Sequence, residues 1–158
     1  MGCSVEDLHW MSLALEEAEL AMREGEIPVG AVIVRNGQLL SRAHNLCESG
    51  SDATAHAECL AIGQACREVG SWRLSDCTLY VTLEPCPMCA GAAVNARLGR
   101  IVYAAKDPRA GAFGSLLDLR SYPLEGRPAV EQGAMESESL ALLRAFFVER
   151  RKKEKARG

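Results

Sequence analysis

The sequence has no apolar run long enough to cross a bilayer and no basic stretch leading into an apolar core at its start, so neither a membrane span nor a secretory leader is expected. Gly2 with Cys3 raises acylation, but Glu6 stands where an N-myristoylation pattern needs Ser or Thr. A soluble, cytoplasmic protein is the expectation. Internal repeats and low-complexity linkers are lacking too, and 158 residues with 48% hydrophobic content fit one domain with a sizeable core. The cysteines lack regular spacing. There are seven, an odd number, and Cys3, Cys47, Cys59, Cys66 and Cys77 form no pattern, which argues against a disulfide framework and leaves them as small apolar filler or surface thiols. Histidine is scarce, three in the chain, so each one needs a reason.

The net charge of −3 hides an asymmetry. Residues 150–158, RRKKEKARG, hold six basic side chains and one acidic, a charge of +5, and the first 149 residues hold 12 basic against 20 acidic, a charge of −8. A basic end on an acidic body is either an arm for a polyanion or a solvated helix end whose cations suit the C-terminus of the macrodipole. The domain is accordingly taken as 1–149 and the basic end as 150–158.

Along the chain, Ser4-Val5-Glu6-Asp7 resembles a capping box, and Leu8, Met11, Leu15, Ala18 and Met22 recur at helical steps until Gly25. VGAVIV and QLLSRAHN flank Asn36-Gly37, which predicts a hairpin with a type I′ turn. After a loop from Ser49 to Asp52, Asp52 or Thr54 is the expected cap of a helix through AHAECLAIGQACREVG, stopped by Gly70. CTLYVTL, 77–83, and RIVYAA, 100–105, have the composition of buried strands, with a short helix from Pro87 between them. The Gly- and Ala-rich stretch 107–119 has no period and reads as a loop over a site. PAVEQGA predicts a last strand, and Ser137 is expected to open a final helix with Leu140, Leu142, Leu143, Phe146 and Phe147 as its apolar face. Strand, helix and strand in alternation favour an α/β sheet with parallel members and helices on its faces.

Cys86 and Cys89 do form a pattern, a C-x-x-C pair between a predicted strand and helix. A helix N-terminus stabilises thiolates, so a thioredoxin-like redox pair is one reading. A second cluster, Ala55-His56-Ala57-Glu58, bears on it. His56 sits at one predicted helix start and the cysteines at another, and one imidazole with two thiolates are three zinc ligands of fitting softness. His9 and His44 have no partner spacing, and three protein ligands leave the open position of a catalytic zinc. Glu58, two residues from His56, does not share its helix face but can flank the metal and carry protons between water and substrate. Otherwise it is an acid favoured at a helix N-terminus.

H-A-E at 56–58 with P-C-x-x-C at 85–89 is similar to the signature of the zinc deaminases. Together with EIPVGAVIV, DATAHAE, LYVTLEPCPMCAGA and RIVYAAKDPRAGAFGSL, spanning about Glu6 to Arg151, it resembles the bacterial tRNA-specific adenosine deaminases. The resemblance implies a cytidine-deaminase-like α/β/α fold with a five-stranded mixed sheet, a homodimer, one Zn²⁺ per subunit, and hydrolysis of adenosine to inosine at the anticodon wobble position of tRNA. It implies His56, Cys86 and Cys89 as zinc ligands and Glu58 as the proton carrier. It also implies Asn45 against the flipped nucleotide, Asp107 near the adjoining ribose, and Val29, Ala55 and Leu83 around the base. Without the resemblance, Asn45 is a turn residue and Asp107 a cap. The basic end and Phe147 are expected to hold flanking backbone and bases.

Two departures stand out. Leu46-Cys47 follows the asparagine where many relatives carry basic residues, and Ala53 replaces a common proline, which puts tight phosphate contacts on that loop in doubt. A deaminase of a free base or nucleoside shares the same motifs. A zinc module without catalysis keeps the ligands but has no need of Glu58, and a redox protein predicts a Cys86–Cys89 disulfide and no metal.

Overall fold

The computed structural model describes residues 4–158, so Gly2 and Cys3 lie outside the described residues. Helix α1 runs Val5–Arg23, and Ser4 caps it by accepting the Asp7 N–H at 2.9 Å. Strands β1 (Gly30–Arg35) and β2 (Gln38–His44) form the expected hairpin. Asn36 and Gly37 have φ of 50° and 73°, as a type I′ turn requires. Then follow α2 (Cys47–Gly50), α3 (Ala57–Val69), β3 (Cys77–Leu83), α4 (Pro87–Asn95), β4 (Arg100–Ala105), β5 (Ala129–Gln132) and α5 (Glu136–Arg157).

The strand order is β2-β1-β3-β4-β5, with β1 antiparallel to both neighbours and β3, β4 and β5 parallel. This is the mixed five-stranded sheet of the sequence reading. Alternation along the strands divides the core. Ile33, Leu79, Val81 and Ile101 pack with Ala61, Ala65, Ala90 and Ala93 of α3 and α4, and Val32, Tyr80 and Val102 pack with Trp10, Met11 and Ala14 of α1. Helix α5 crosses on the α1 side, where the buried Ser139 hydroxyl donates to the Thr82 carbonyl at 2.6 Å. Among the described residues no helix is long and apolar enough to cross a membrane.

Several boundaries differ from expectation. Residues 47–50 are one helical turn rather than a loop beginning at Ser49, because the Glu26 carboxylate accepts the N–H groups of Glu48 and Ser49 at 2.9 and 2.7 Å. Neither Asp52 nor Thr54 caps α3. Asp52 instead accepts the Thr54 N–H and hydroxyl at 2.8 and 2.7 Å, closing a tight turn that leaves His56 as the residue before the helix. Helix α5 opens at Glu136, behind a left-handed Met135, and not at Ser137.

At the opposite end of the sheet from Leu83, Arg100 grips Asp7 of α1 with two bonds of 2.7 and 2.8 Å, and the Tyr80 hydroxyl donates to the same carboxylate at 2.6 Å. These groups line a polar groove of about 690 Å³ and satisfy one another there. The Arg100 guanidinium, foremost, holds the Asp7 carboxyl well below the usual carboxylate range. A depressed folded pKa contributes stability above the unfolded pKa and loses it as pH falls toward the folded one. Asp7→Asn is therefore expected to lower the melting temperature at pH 7 by roughly 5–10 °C, corresponding to about 2–3 kcal/mol. The gap should begin to narrow below about pH 4, near the unfolded pKa, and should persist in part at pH 3 because the folded pKa lies lower still. Thermal melts across pH 3–8 check it, and a gap that does not narrow in acid would refute the ion-pair account.

Candidate metal centre and active-site cavity

The candidate site residues gather at the C-terminal end of β3. Leu83 ends that strand, Glu84-Pro85 turns the chain, and α4 starts with Cys86 as the preceding residue and Pro87 in its first turn, where a missing N–H removes no helical bond. Helix α3 starts beside it with His56 in the equivalent place. The two helices follow β2 and β3, which are separated by β1, rather than adjacent strands. Asn45, just past β2, ties in the start of α3, its Oδ1 accepting the Ala57 N–H at 2.8 Å.

His56 Nδ1 lies 3.5 Å from Cys86 Sγ and 3.4 Å from Cys89 Sγ, and one ligand atom from each of the three residues falls within 4.8 Å of the others. Cys86, Cys89 and Cys59 are all free thiols. A zinc ion with Zn–S near 2.3 Å and Zn–N near 2.0–2.1 Å at a tetrahedral angle sets N and S about 3.6 Å apart. The donor set therefore fits tetrahedral zinc in both chemistry and spacing. A dithiol redox pair has no use for an imidazole equidistant from both sulfurs.

The electrostatics agree with a ligand cluster. The Cys86 thiol is held down to about 4, first by its hydrogen bond with Cys89 and then by that with His56. His56 is shifted upward, foremost by Cys86. Glu58, only 4% exposed, has its carboxyl pushed up to about 7 by burial.

A cavity of about 410 Å³ opens over the cluster, within the range of small-ligand sites. Val29, Asn45, His56, Glu58, Leu83, Cys86, Asp107 and Phe147 all line it. Cys89 is fully buried beneath. Ala55 does not line the cavity; it is buried, with its carbonyl accepting the Leu46 N–H at 2.9 Å and its N–H bonded to the Asp52 carbonyl. Asp107 also serves as a turn residue, accepting the N–H groups of Arg109 and Ala110 at 3.0 and 3.3 Å. Beyond Phe147 the wall continues as a groove of about 580 Å³ lined by Arg109, Arg144 and Arg151. Of the predicted apolar face of α5, Leu140, Leu143 and Phe147 reach the cavity, while Phe146 faces a separate groove beside Lys153.

The family model for MafB19-like deaminases matches residues 5–150. The chain belongs to that deaminase family. A tRNA-specific adenosine deaminase of Bacillus subtilis is 47% identical over 152 residues, covering 96% of this chain and 94% of the relative. A structure solved in work on A-to-I editing by tRNA:A34 deaminases at the wobble position of transfer RNA superposes with a TM-score of 0.81 at 44% identity, covering 86% of this chain and 99% of that one. A guanine deaminase of Bacillus subtilis superposes at 0.62 with 34% identity, covering 88% and 92%.

Two residues of this deaminase stand at the site without having been singled out from the sequence. Cys59, read as filler, has its Sγ 3.6 Å from that of Cys89. Its three-residue step from His56 was the available signal. Glu84 is 2% exposed and also lines the cavity. No composition or period distinguishes it from a surface acid.

Proposed function

We propose that this deaminase hydrolyses adenosine to inosine, with release of ammonia, at the wobble position of a tRNA anticodon, using one zinc ion per chain. The observation that carries the reading is the His56, Cys86 and Cys89 cluster set beside buried Glu58 in a cavity that continues into an arginine-lined groove past Phe147. Zinc held by those three residues would supply a Lewis acid able to bring the pKa of water to roughly 7.

The chain's own residues account for the rest. Glu58 takes a proton from the water and delivers it to N1 of the adenine, then carries the second to the departing amine. Burial favours this duty, because a carboxyl with an ordinary pKa holds its proton too weakly to return it. With Asn45 Oδ1 committed to Ala57, the Asn45 Nδ2 group is the donor offered to the base. Val29, Leu83 and Asp107 all line the cavity, the first two offering apolar surface to the base and Asp107 a carboxylate to the ribose. A base must leave its stack to enter, so an unpaired anticodon-loop nucleotide suits the cavity. Phe147, 36% exposed, offers a face for a neighbouring base, with Arg109, Arg144 and Arg151 placed for phosphates. The basic end belongs to the same reading, as the last two turns of α5 rather than a separate tail. A homodimer and a cytoplasmic setting go with the tRNA substrate.

The guanine deaminase likeness supports a second reading, in which the cavity takes a free base. Zinc-loaded protein incubated with an anticodon stem-loop carrying adenosine at the wobble position, and separately with adenosine, guanine and cytidine, separates the two by mass-spectrometric nucleoside analysis. Inosine is expected in the stem-loop alone. Conversion of a free compound in place of the stem-loop would overturn the tRNA substrate and keep the hydrolytic chemistry.

A further inference from the structure

Glu84 has an arrangement that none of the preceding steps uses. Its carboxylate is buried where β3 ends, two residues before Cys86, and every hydrogen bond it accepts comes from one loop. Oε1 accepts the Asp107 N–H at 3.2 Å and the Ser115 hydroxyl; Oε2 accepts the N–H groups of Phe113 and Ser115 at 3.1 and 3.2 Å. The loop closes tightly around it. A Cβ at Gly111 would lie 2.4 Å from the Glu84 carboxyl carbon, so only glycine admits the chain there. Further bonds, from Ala112 N–H to the Pro85 carbonyl and from Gly111 N–H to the Asp107 carbonyl, both 2.8 Å, wrap the segment on the same anchor.

That segment supplies one wall of the cavity, with Lys106, Asp107, Pro108, Arg109 and Ala110 lining it. It lies between β4 and β5, and its span from 107 to 117 contains no helix or strand, so its shape is not set by a ladder. The backbone N–H groups of Asp107, Phe113 and Ser115 point inward to one side chain instead of pairing with each other. Three N–H groups and a hydroxyl directed at one buried carboxylate are donors left unsatisfied if it is replaced by a group that cannot accept from all four.

Resting on the proposed tRNA reading, we infer that Glu84 is a positioning residue: it fixes the 107–115 loop so that Asp107 and Arg109 meet the nucleotides flanking the reacting base. The reaction itself does not pass through it. Glu84 sits in the same covalent turn as Cys86, so the anchor references the RNA-facing wall to the metal ligands. Glu26 makes a comparable anchor elsewhere, accepting the Glu48 and Ser49 N–H groups three and four residues after Asn45.

Glu84→Gln keeps the size and halves the acceptor capacity, since the amide nitrogen would face two of the four donors in place of an oxygen. Hydrogen–deuterium exchange on the full chain should show the peptide spanning 107–117 exchanging about tenfold faster or more, with β3 and β4 peptides unchanged. In stem-loop kinetics KM should rise about tenfold or more, with kcat falling by a smaller factor. Ser115→Ala, at an exposed position, should show the same pattern weakly, and the double variant should be no worse than Glu84→Gln alone. Should Glu84→Gln not fold, Ser115→Ala carries the test on its own. Unchanged exchange in the loop, loosening spread over the whole sheet, or a fall in kcat with KM unmoved would each overturn the inference. The exchange measurement needs no substrate, so a wild-type protein that converts no stem-loop would refute the tRNA reading without deciding the role of Glu84.

Discussion

Glu58→Ala is expected to lower kcat for inosine formation by about 10³-fold or more, while zinc content and stem-loop affinity stay within about threefold of wild type. The size follows from two proton transfers resting on one carboxyl. General acid–base catalysis by a placed side chain is worth about 10²–10⁴-fold. Glu58 is buried in the cavity wall, so water cannot easily stand in for it. Its placement on the first turn of α3, two residues from His56, puts it beside the ligand cluster but not in it. Removing it should therefore leave the metal in place. Glu58→Gln is the sharper variant, because it keeps the volume and hydrogen-bonding shape and loses only the transferable proton. Single-turnover nucleoside analysis, metal content and a gel-shift titration read the three quantities separately. A loss of less than about tenfold would mean that another group moves the protons.

How much of this could be seen in the chain alone depends on the range of the signal. The hairpin was legible because Asn36-Gly37 forces its own turn, and β3 and β4 because β-branched and apolar residues fill two short runs. The clustering of His56, Cys86 and Cys89 was legible because ligand chemistry restricts residue type and both halves sit at helix starts. What escaped depends on contacts between distant segments. Asp52 could equally cap α3 or close a turn, and the Thr54 hydroxyl at 2.7 Å decides for the turn. Ala55, which the resemblance sets against the base, takes its backbone partners from Leu46 and Asp52, a pairing that no local pattern announces. The grip of Glu84 on the loop joins residues 23 to 31 positions apart, beyond any local pattern. Ser139, which seats α5 over the cavity, meets its partner 57 positions away.

Cys89→Ser is expected to reduce bound zinc from one per chain to below about a tenth and to abolish deamination, because a hydroxyl is a poor ligand for a metal selected by thiolate softness. The apo variant should also melt lower than wild type and no longer respond to added zinc, since metal bound only to the folded state stabilises it by mass action. Cys59→Ser makes this result informative. Cys59 Sγ lies 3.6 Å from Cys89 Sγ, near the roughly 3.8 Å edge between two sulfurs on tetrahedral zinc, so distance to one neighbour alone would permit it as a fourth ligand. The mutually close set nevertheless comprises His56, Cys86 and Cys89 without it. A four-ligand site is closed and structural; a three-ligand site keeps the position that hydrolysis needs. Cys59→Ser is therefore expected to keep one zinc per chain and to stay within about threefold of wild-type turnover. Equal zinc loss in the two variants would make Cys59 a ligand, close the site, and remove the ground for hydrolysis at this metal.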